Sequence, residues 1–217
     1  KVGVIYPKGS EAVLADNFDG KPFGRPNDLV VDKKGGVYFT DPGPSAAQPV
    51  APGAIPAPAA TPALPASVYY IPPGGKAIRI AEGIERPNGI QLSPDEQTLY
   101  VNNTAGNYMI AFVINPDGTV RQRRDFAKYE GVTSNAQGLR SGADGLAIDQ
   151  EGRVYAATTA GVQVFDAKGA HLGTITVSRA PQNIAFAGAD KTMLYIVGRG
   201  AAWKVQLLTP GYHGRAK

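Results

Sequence analysis

The chain has no cysteine among its 217 residues. That excludes disulfides, thiolate metal centres and cysteine nucleophiles. Histidine is nearly as scarce: His171 and His213 stand far apart, in turn and tail contexts. A histidine-built metal site or a Ser-His-Asp triad is therefore not expected. No apolar run approaches the roughly 20 residues of a membrane-spanning helix, and no membrane partner is expected. No Gly-x-x-x-x-Gly-Lys-Ser/Thr phosphate loop occurs, and no segment keeps a helical period over a useful length. A signal peptide is not recognised either, although the chain opens at Lys1 without a methionine, so upstream processing is an expectation. Periplasm, secretion and cytoplasm all stay open. The net charge is +4, with basic residues scattered except at Arg121, Arg123 and Arg124. No aromatics interleave with that cluster, so it reads as a solvated strand face, with no nucleic-acid partner.

What the chain does have is a short pattern that returns four times. It runs Pro26-Asn27-Asp28-Leu29-Val30-Val31-Asp32, Pro87-Asn88-Gly89-Ile90-Gln91-Leu92-Ser93, Ala143-Asp144-Gly145-Leu146-Ala147-Ile148-Asp149 and Pro181-Gln182-Asn183-Ile184-Ala185-Phe186. A turn and a second apolar run follow each copy: Val37-Tyr38-Phe39-Thr40, Leu99-Tyr100-Val101-Asn102, Val154-Tyr155-Ala156-Ala157 and Leu194-Tyr195-Ile196-Val197. Short strands repeated on this scale mark a radial or stacked β-architecture, because such units bury their apolar faces only against neighbours. The expected fold is all-β, one propeller domain over residues 1–217. The four tyrosines are expected in the core between blades. The opening polar residues Asn27, Asn88, Asp144 and Gln182 would converge on a central channel.

Residues 2–5 and 12–15 read as a hairpin that forms the outer half of a unit lacking its inner half. Residues 42–66 are dominated by alanine and proline, which cannot sustain a β-ladder. They read as a long excursion, either a surface loop or a lid over the channel mouth. Val68–Ile71 and Ala77–Ile80 form the next hairpin. The second unit reaches Tyr129, the third ends on a strand at Thr174–Val177, and the fourth ends near Leu207.

The chemistry-bearing groups left are oxygens: Asn27, Asp28, Asn88, Asp144 and Gln182. Carboxylate and amide oxygens suit a hard divalent cation such as Ca²⁺ and suit zinc poorly. Asn-Gly and Asp-Gly are also hairpin-turn signals. Here, however, Asn88-Gly89 and Asp144-Gly145 directly precede apolar strands at one repeat position. Arg25-Pro26-Asn27 and Arg86-Pro87-Asn88 repeat the flank as well.

These phrases, with Tyr38-Phe39-Thr40-Asp41-Pro42, Ser93-Pro94-Asp95 and Asn183-Ile184-Ala185-Phe186, resemble the gluconolactonase, senescence-marker-protein and luciferin-regenerating-enzyme family. The resemblance covers nearly all of the chain except the proline-rich insert. It implies a six-bladed β-propeller, of which about four and a half blades are represented here. It further implies one divalent cation in the channel, Ca²⁺ first, with Zn²⁺, Mn²⁺ and Mg²⁺ as alternatives. Asn88 and Asp144 look like two of its ligands, and Asp144 also resembles the family's general base. Asn27 looks like a channel residue contacting substrate or bound water, and Arg25 like a substrate-binding arginine.

Two departures stand out. The family's third ligand, a first-blade glutamate, has no counterpart in this chain, so a second polypeptide or another copy is a candidate for completing the ring. The insert carries no acid between Asp41 and Glu82, so substrate specificity does not transfer. The leading expectation is a metal-dependent hydrolase of a small-molecule lactone. A non-catalytic propeller serving as a binding module is the alternative, and a metal-dependent hydrolase of phosphoesters or other esters a third.

Overall fold

The computed structural model describes residues 1–44, 64–136 and 138–215, and every regular element in it is a strand. Two small hairpins come first: β1 (Val2–Val4) with β2 (Ala12–Ala15), then β3 (Asn17–Phe18) with β4 (Lys21–Pro22). Three four-stranded antiparallel sheets follow. The first joins β5 (Leu29–Val31), β6 (Val37–Asp41), β7 (Ser67–Ile71) and β8 (Ile78–Glu82). The second joins β9 (Pro87–Leu92), β10 (Thr98–Asn103), β11 (Tyr108–Ile114) and β12 (Val120–Lys128). A short hairpin, β13 (Thr133–Asn135) with β14 (Gly138–Arg140), precedes the third sheet: β15 (Leu146–Ile148), β16 (Val154–Thr158), β17 (Gly161–Phe165) and β18 (His171–Ile175). The fourth has three strands: β19 (Asn183–Ala187), β20 (Met193–Gly198) and β21 (Ala201–Gln206). Each sheet is ordered as the chain runs, from inner strand to outer. This is the blade of a β-propeller.

The core lies in the seams between blades, as the repeat requires. Val30, Tyr38, Val68 and Tyr70 of the first blade pack against Ile90, Leu92, Leu99 and Phe112 of the second. Tyr100, Met109 and Phe126 pack against Leu146, Ile148 and Phe165. Ala147, Tyr155 and Val162 meet Ile184, Phe186 and Ile196. The expected N-terminal hairpin does cover the other face of the first blade, where Val2 and Phe23 join Phe39 and Tyr69.

Three expectations are corrected. Tyr38, Tyr100 and Tyr155 are buried, but Tyr195 is 44% exposed. Burial alternates along β20, and its Tyr195/Val197 side has no sheet against it among the described residues. The third blade's outer strand is β18, His171–Ile175, rather than Thr174–Val177, because Phe165 pairs with His171 and Val162 with Ile175. His171 therefore opens a strand instead of sitting in a turn. Of the 42–66 excursion, residues 45–63 lie outside the described residues. Toward its C-terminal end, Leu64 is buried in the first-blade core. The arginines of β12 stand on an exposed face as expected. Arg121 and Arg123 are bonded to Asn115 Oδ1 (2.8 Å) and Gly83 O (2.7 Å), and Arg124 lies over the Phe126 ring.

The C-terminal segment ties the blades together at the ends opposite the opening residues. Gly211 bridges Asp149, and the Tyr212 N–H donates to Ile148 O at 3.0 Å, both on the third blade. Lys191, before β20, donates through Nζ to Tyr212 O at 2.9 Å. Arg215 then reaches the second blade, donating to Leu92 O (2.5 Å), Ser93 O (3.1 Å) and Glu96 Oε1 (3.0 Å) while stacking on Tyr212. Arg215 is only 8% exposed. Removing one member of a buried ion pair strands the other and unsatisfies the carbonyls, at a cost of about 3 kcal/mol. Arg215→Ala should lower the unfolding free energy by about that amount. Urea denaturation followed by circular dichroism checks this, and a change within 0.5 kcal/mol, the usual range for a surface substitution, would contradict the strapping role.

Candidate functional site

Three of the four opening residues occupy one register position. The N–H groups of Asn27, Asp144 and Gln182 each donate to the main chain of their own second strand, at Thr40 O, Ala157 O and Val197 O (2.8 Å each). Across the seams the Gly89 N–H donates to Asp144 O at 3.1 Å and the Gly145 N–H to Gln182 O at 2.9 Å. The mouths of the inner strands are thus stitched to one another. Gly89 and Gly145 allow it. A Cβ on Gly89 would run into the Asp144 carbonyl, and one on Gly145 into Asn183 Oδ1. The Asn-Gly and Asp-Gly pairs are close-approach glycines opening strands, not hairpin turns.

Asn88 is buried and held from both ends. Its Nδ2 donates to Thr104 Oγ1 at 3.0 Å, and its carbonyl accepts from Thr40 Oγ1 at 2.6 Å. Thr104 Oγ1 in turn donates to Ala143 O at 2.7 Å. These bonds fix the amide so that Oδ1 is the side chain's remaining group. That oxygen is buried and accepts no hydrogen bond from the described residues. A buried acceptor without a donor is costly and calls for an explanation.

Asp144 is half-buried beside it. Its pKa is pushed up to about 6, first by desolvation and then by the negative charge of Asp28. Arg86, Arg199 and a hydrogen bond from Asn88 act in the opposite direction. Asp28 is fixed across the seam between the first two blades: its Oδ2 accepts from the Ile90 N–H at 3.0 Å and its Oδ1 from the Leu29 N–H at 2.9 Å.

The structure therefore brings Asn88, Asp144 and Asp28 together. Asn27 occupies the matching position on the first blade and is exposed. Gln182 keeps the register, but its Oε1 accepts from the Arg199 N–H at 3.0 Å and is taken up in a loop. Arg25 is half-buried, its N–H bonded to Asp41 Oδ1 at 2.8 Å. The cations whose field acts most on Asp144 are Arg86 and Arg199. Arg86 was visible in the repeated Arg-Pro-Asn flank. Arg199 had no sequence signal; it sits in the turn between β20 and β21 with a left-handed φ of 50°.

In kind, the donors fit a hard cation: an orphaned amide oxygen beside a carboxylate. In number they fall short of a closed shell. Among the described residues no three His, Cys, Asp or Glu side chains cluster, so water, main-chain oxygens or further polypeptide would fill the remaining positions.

A β-propeller whose inner strands present a carboxamide and a carboxylate at one end is the class of protein defined here. Residues 2–199 match the family model described as the SMP-30/gluconolactonase/LRE-like region, and the chain belongs to that family. A gluconolactonase of Zymomonas mobilis is 34% identical over 176 residues, which is 76% of this chain and 45% of that protein. The solved structure of a gluconolactonase from Xanthomonas campestris is 30% identical with a TM-score of 0.72, over 96% of this chain and 64% of that one. Regucalcin from Agrobacterium tumefaciens, described as a calcium-binding protein, aligns with a TM-score of 0.68 at 19% identity, over 95% of this chain and 70% of that one, and shares the fold. The chain spans less than half the length of the curated relatives it matches.

The electrostatics make a direct prediction. In metal-free protein, the Asp144 carboxyl should titrate near pH 6. Asp28→Asn removes the like charge and should lower that midpoint, while Arg199→Gln should raise it. Carboxyl-detected NMR titration reads all three. A midpoint near the ordinary aspartate value of about 3.9 would refute the burial argument.

Proposed function

We propose that the chain opens a lactone at the channel mouth in a metal-dependent hydrolysis, with Asn88 and Asp144 as protein ligands and Asp144 as general base. The observation that carries this reading is the buried, unpartnered Asn88 Oδ1 beside an Asp144 carboxylate whose proton affinity is raised. The lactonase assignment is supported by the family and by relatives described as gluconolactonases. Ca²⁺ is the first candidate for the ion, from the oxygen donors and from the calcium-binding description of the regucalcin. We read residues 1–217 as one propeller domain, with another polypeptide or another copy supplying what the ring and the ion's shell lack.

When bound, a divalent cation supplies Lewis acidity at the lactone carbonyl and makes water easier to ionise. The chain's own residues do the rest. Asp144 accepts the proton as water oxygen adds to the carbonyl carbon. In the metal-free chain, burial and the Asp28 charge raise its affinity for a proton above that of an ordinary aspartate. It can then return the proton to the ring oxygen as the C–O bond breaks, giving a hydroxy acid. The positive charge of Arg86 and Arg199 favours the developing oxyanion. Asn27 and Arg25 orient the substrate.

The test is pH-stat hydrolysis of an aldonolactone after EDTA treatment, with Ca²⁺, Mn²⁺, Mg²⁺ or Zn²⁺ restored. Activity should vanish with EDTA and return with a metal. Asp144→Ala should lose both turnover and metal binding. Turnover unchanged in that variant would sink the assignment, and no activity with any ion would favour the non-catalytic propeller.

A further inference from the structure

Asn102 is the penultimate residue of β10 and is completely buried. Its Nδ2 donates to Asp144 O at 2.6 Å and reaches Gly145 O at 3.4 Å. Its Oδ1 accepts from the Tyr129 hydroxyl at 2.7 Å. Tyr129 is itself buried, and desolvation drives its pKa far above the ordinary phenol range, so the hydroxyl stays a donor. The Tyr129 hydroxyl oxygen also accepts from the Asn103 N–H at 3.4 Å. With two carbonyls on one side and a hydroxyl donor on the other, the Asn102 amide has one satisfied orientation.

This arrangement is an expensive way to fill a seam. The Tyr100, Met109 and Phe126 packing already joins the second and third blades, and an apolar side chain of similar volume would need no partners. The polar pair converges instead on the main-chain group that carries the Asp144 side chain. The same carbonyl also accepts from the Gly89 N–H, next to Asn88. Because β10 pairs with β9, Ile90 opposite Val101 and Pro87 opposite Asn103, both oxygen donors are referenced to one strand.

We propose that Asn102 and Tyr129 are positioning residues, which hold the Asp144 main chain at a set distance from Asn88 so that the two side chains stay together. The proposal rests on the reading of Asn88 and Asp144 as an ion-binding and catalytic pair. Neither residue touches substrate; both act through Asp144.

The test compares wild type, Asn102→Leu and Tyr129→Phe with two readouts. The first is the Ca²⁺ dissociation constant by calorimetry without substrate. It should rise about tenfold or more in Asn102→Leu, as for other outer-shell partners of a metal ligand, and less in Tyr129→Phe, which keeps the amide. The second is hydrogen exchange of the Gly89 amide in metal-free protein. It should accelerate in both variants, selectively relative to amides deep in β16. In lactone hydrolysis the loss should fall on kcat with KM little changed. Unchanged Gly89 exchange and unchanged Ca²⁺ affinity in a folded variant would overturn the proposal, and Tyr129→Phe decides if Asn102→Leu does not fold. If wild type binds no Ca²⁺, the metal-dependent reading fails on its own, while Gly89 exchange still decides whether this pair positions Asp144.

Discussion

The site depends on how closely neighbouring inner strands approach at their first residues. At Gly89 and Gly145 the adjoining blade occupies the space where a Cβ would be. This lets the Gly89 N–H reach Asp144 O and the Gly145 N–H reach Gln182 O. Main chains this close put the side chains of Asn88 and Asp144 next to each other at the seam between the second and third blades. A larger residue at Gly89 would push the second and third blades apart and separate Asn88 from Asp144; one at Gly145 would push the third blade from the fourth.

The electrostatics follow from that proximity. Asp144 pays a desolvation penalty and faces a second carboxylate, Asp28, which the Ile90 and Leu29 amides hold in place. Arg86 and Arg199 offset part of the cost. Thr40, Thr104 and Asn102 bind the local main chain and the Asn88 amide, and Asn88 Oδ1 is left without a donor. A fold selected for stability alone would have satisfied that oxygen or made the position apolar. At the opposite end, the Tyr212–Arg215 segment holds blade to blade, so the mouth is built on strands already fixed at their other ends.

The blades were legible in the sequence, because apolar alternation and a recurring polar opening residue report directly on strand faces and register; Asn88 and Asp144 were singled out from the four opening residues by the family resemblance. The repeat also placed Tyr38, Tyr100 and Tyr155 correctly, since each has a blade on its side of the sheet. It misplaced Tyr195, because periodicity says which residues share a face and not whether anything packs there. Gln182 shared the register, but a contact with the Arg199 main chain, invisible to local patterning, took its side chain. Asn102 stood within a strand run and Tyr129 at the end of the second unit; their contacts join residues 42 and 27 apart in the chain. The outer strand β18 was read a few residues late because the β-branched run Thr174–Val177 carries the stronger strand signal, while His171, Leu172 and Gly173 pair with β17 through contacts that local patterning does not show.

The most direct test of the central claim is anomalous diffraction from crystals of this chain soaked in Mn²⁺ or a lanthanide that substitutes for Ca²⁺. The account predicts one dominant peak within about 2.6 Å of both Asn88 Oδ1 and an Asp144 carboxylate oxygen, absent in Asp144→Ala. A peak bound elsewhere, or none at that pair, would contradict the placement of the ion and the function built on it.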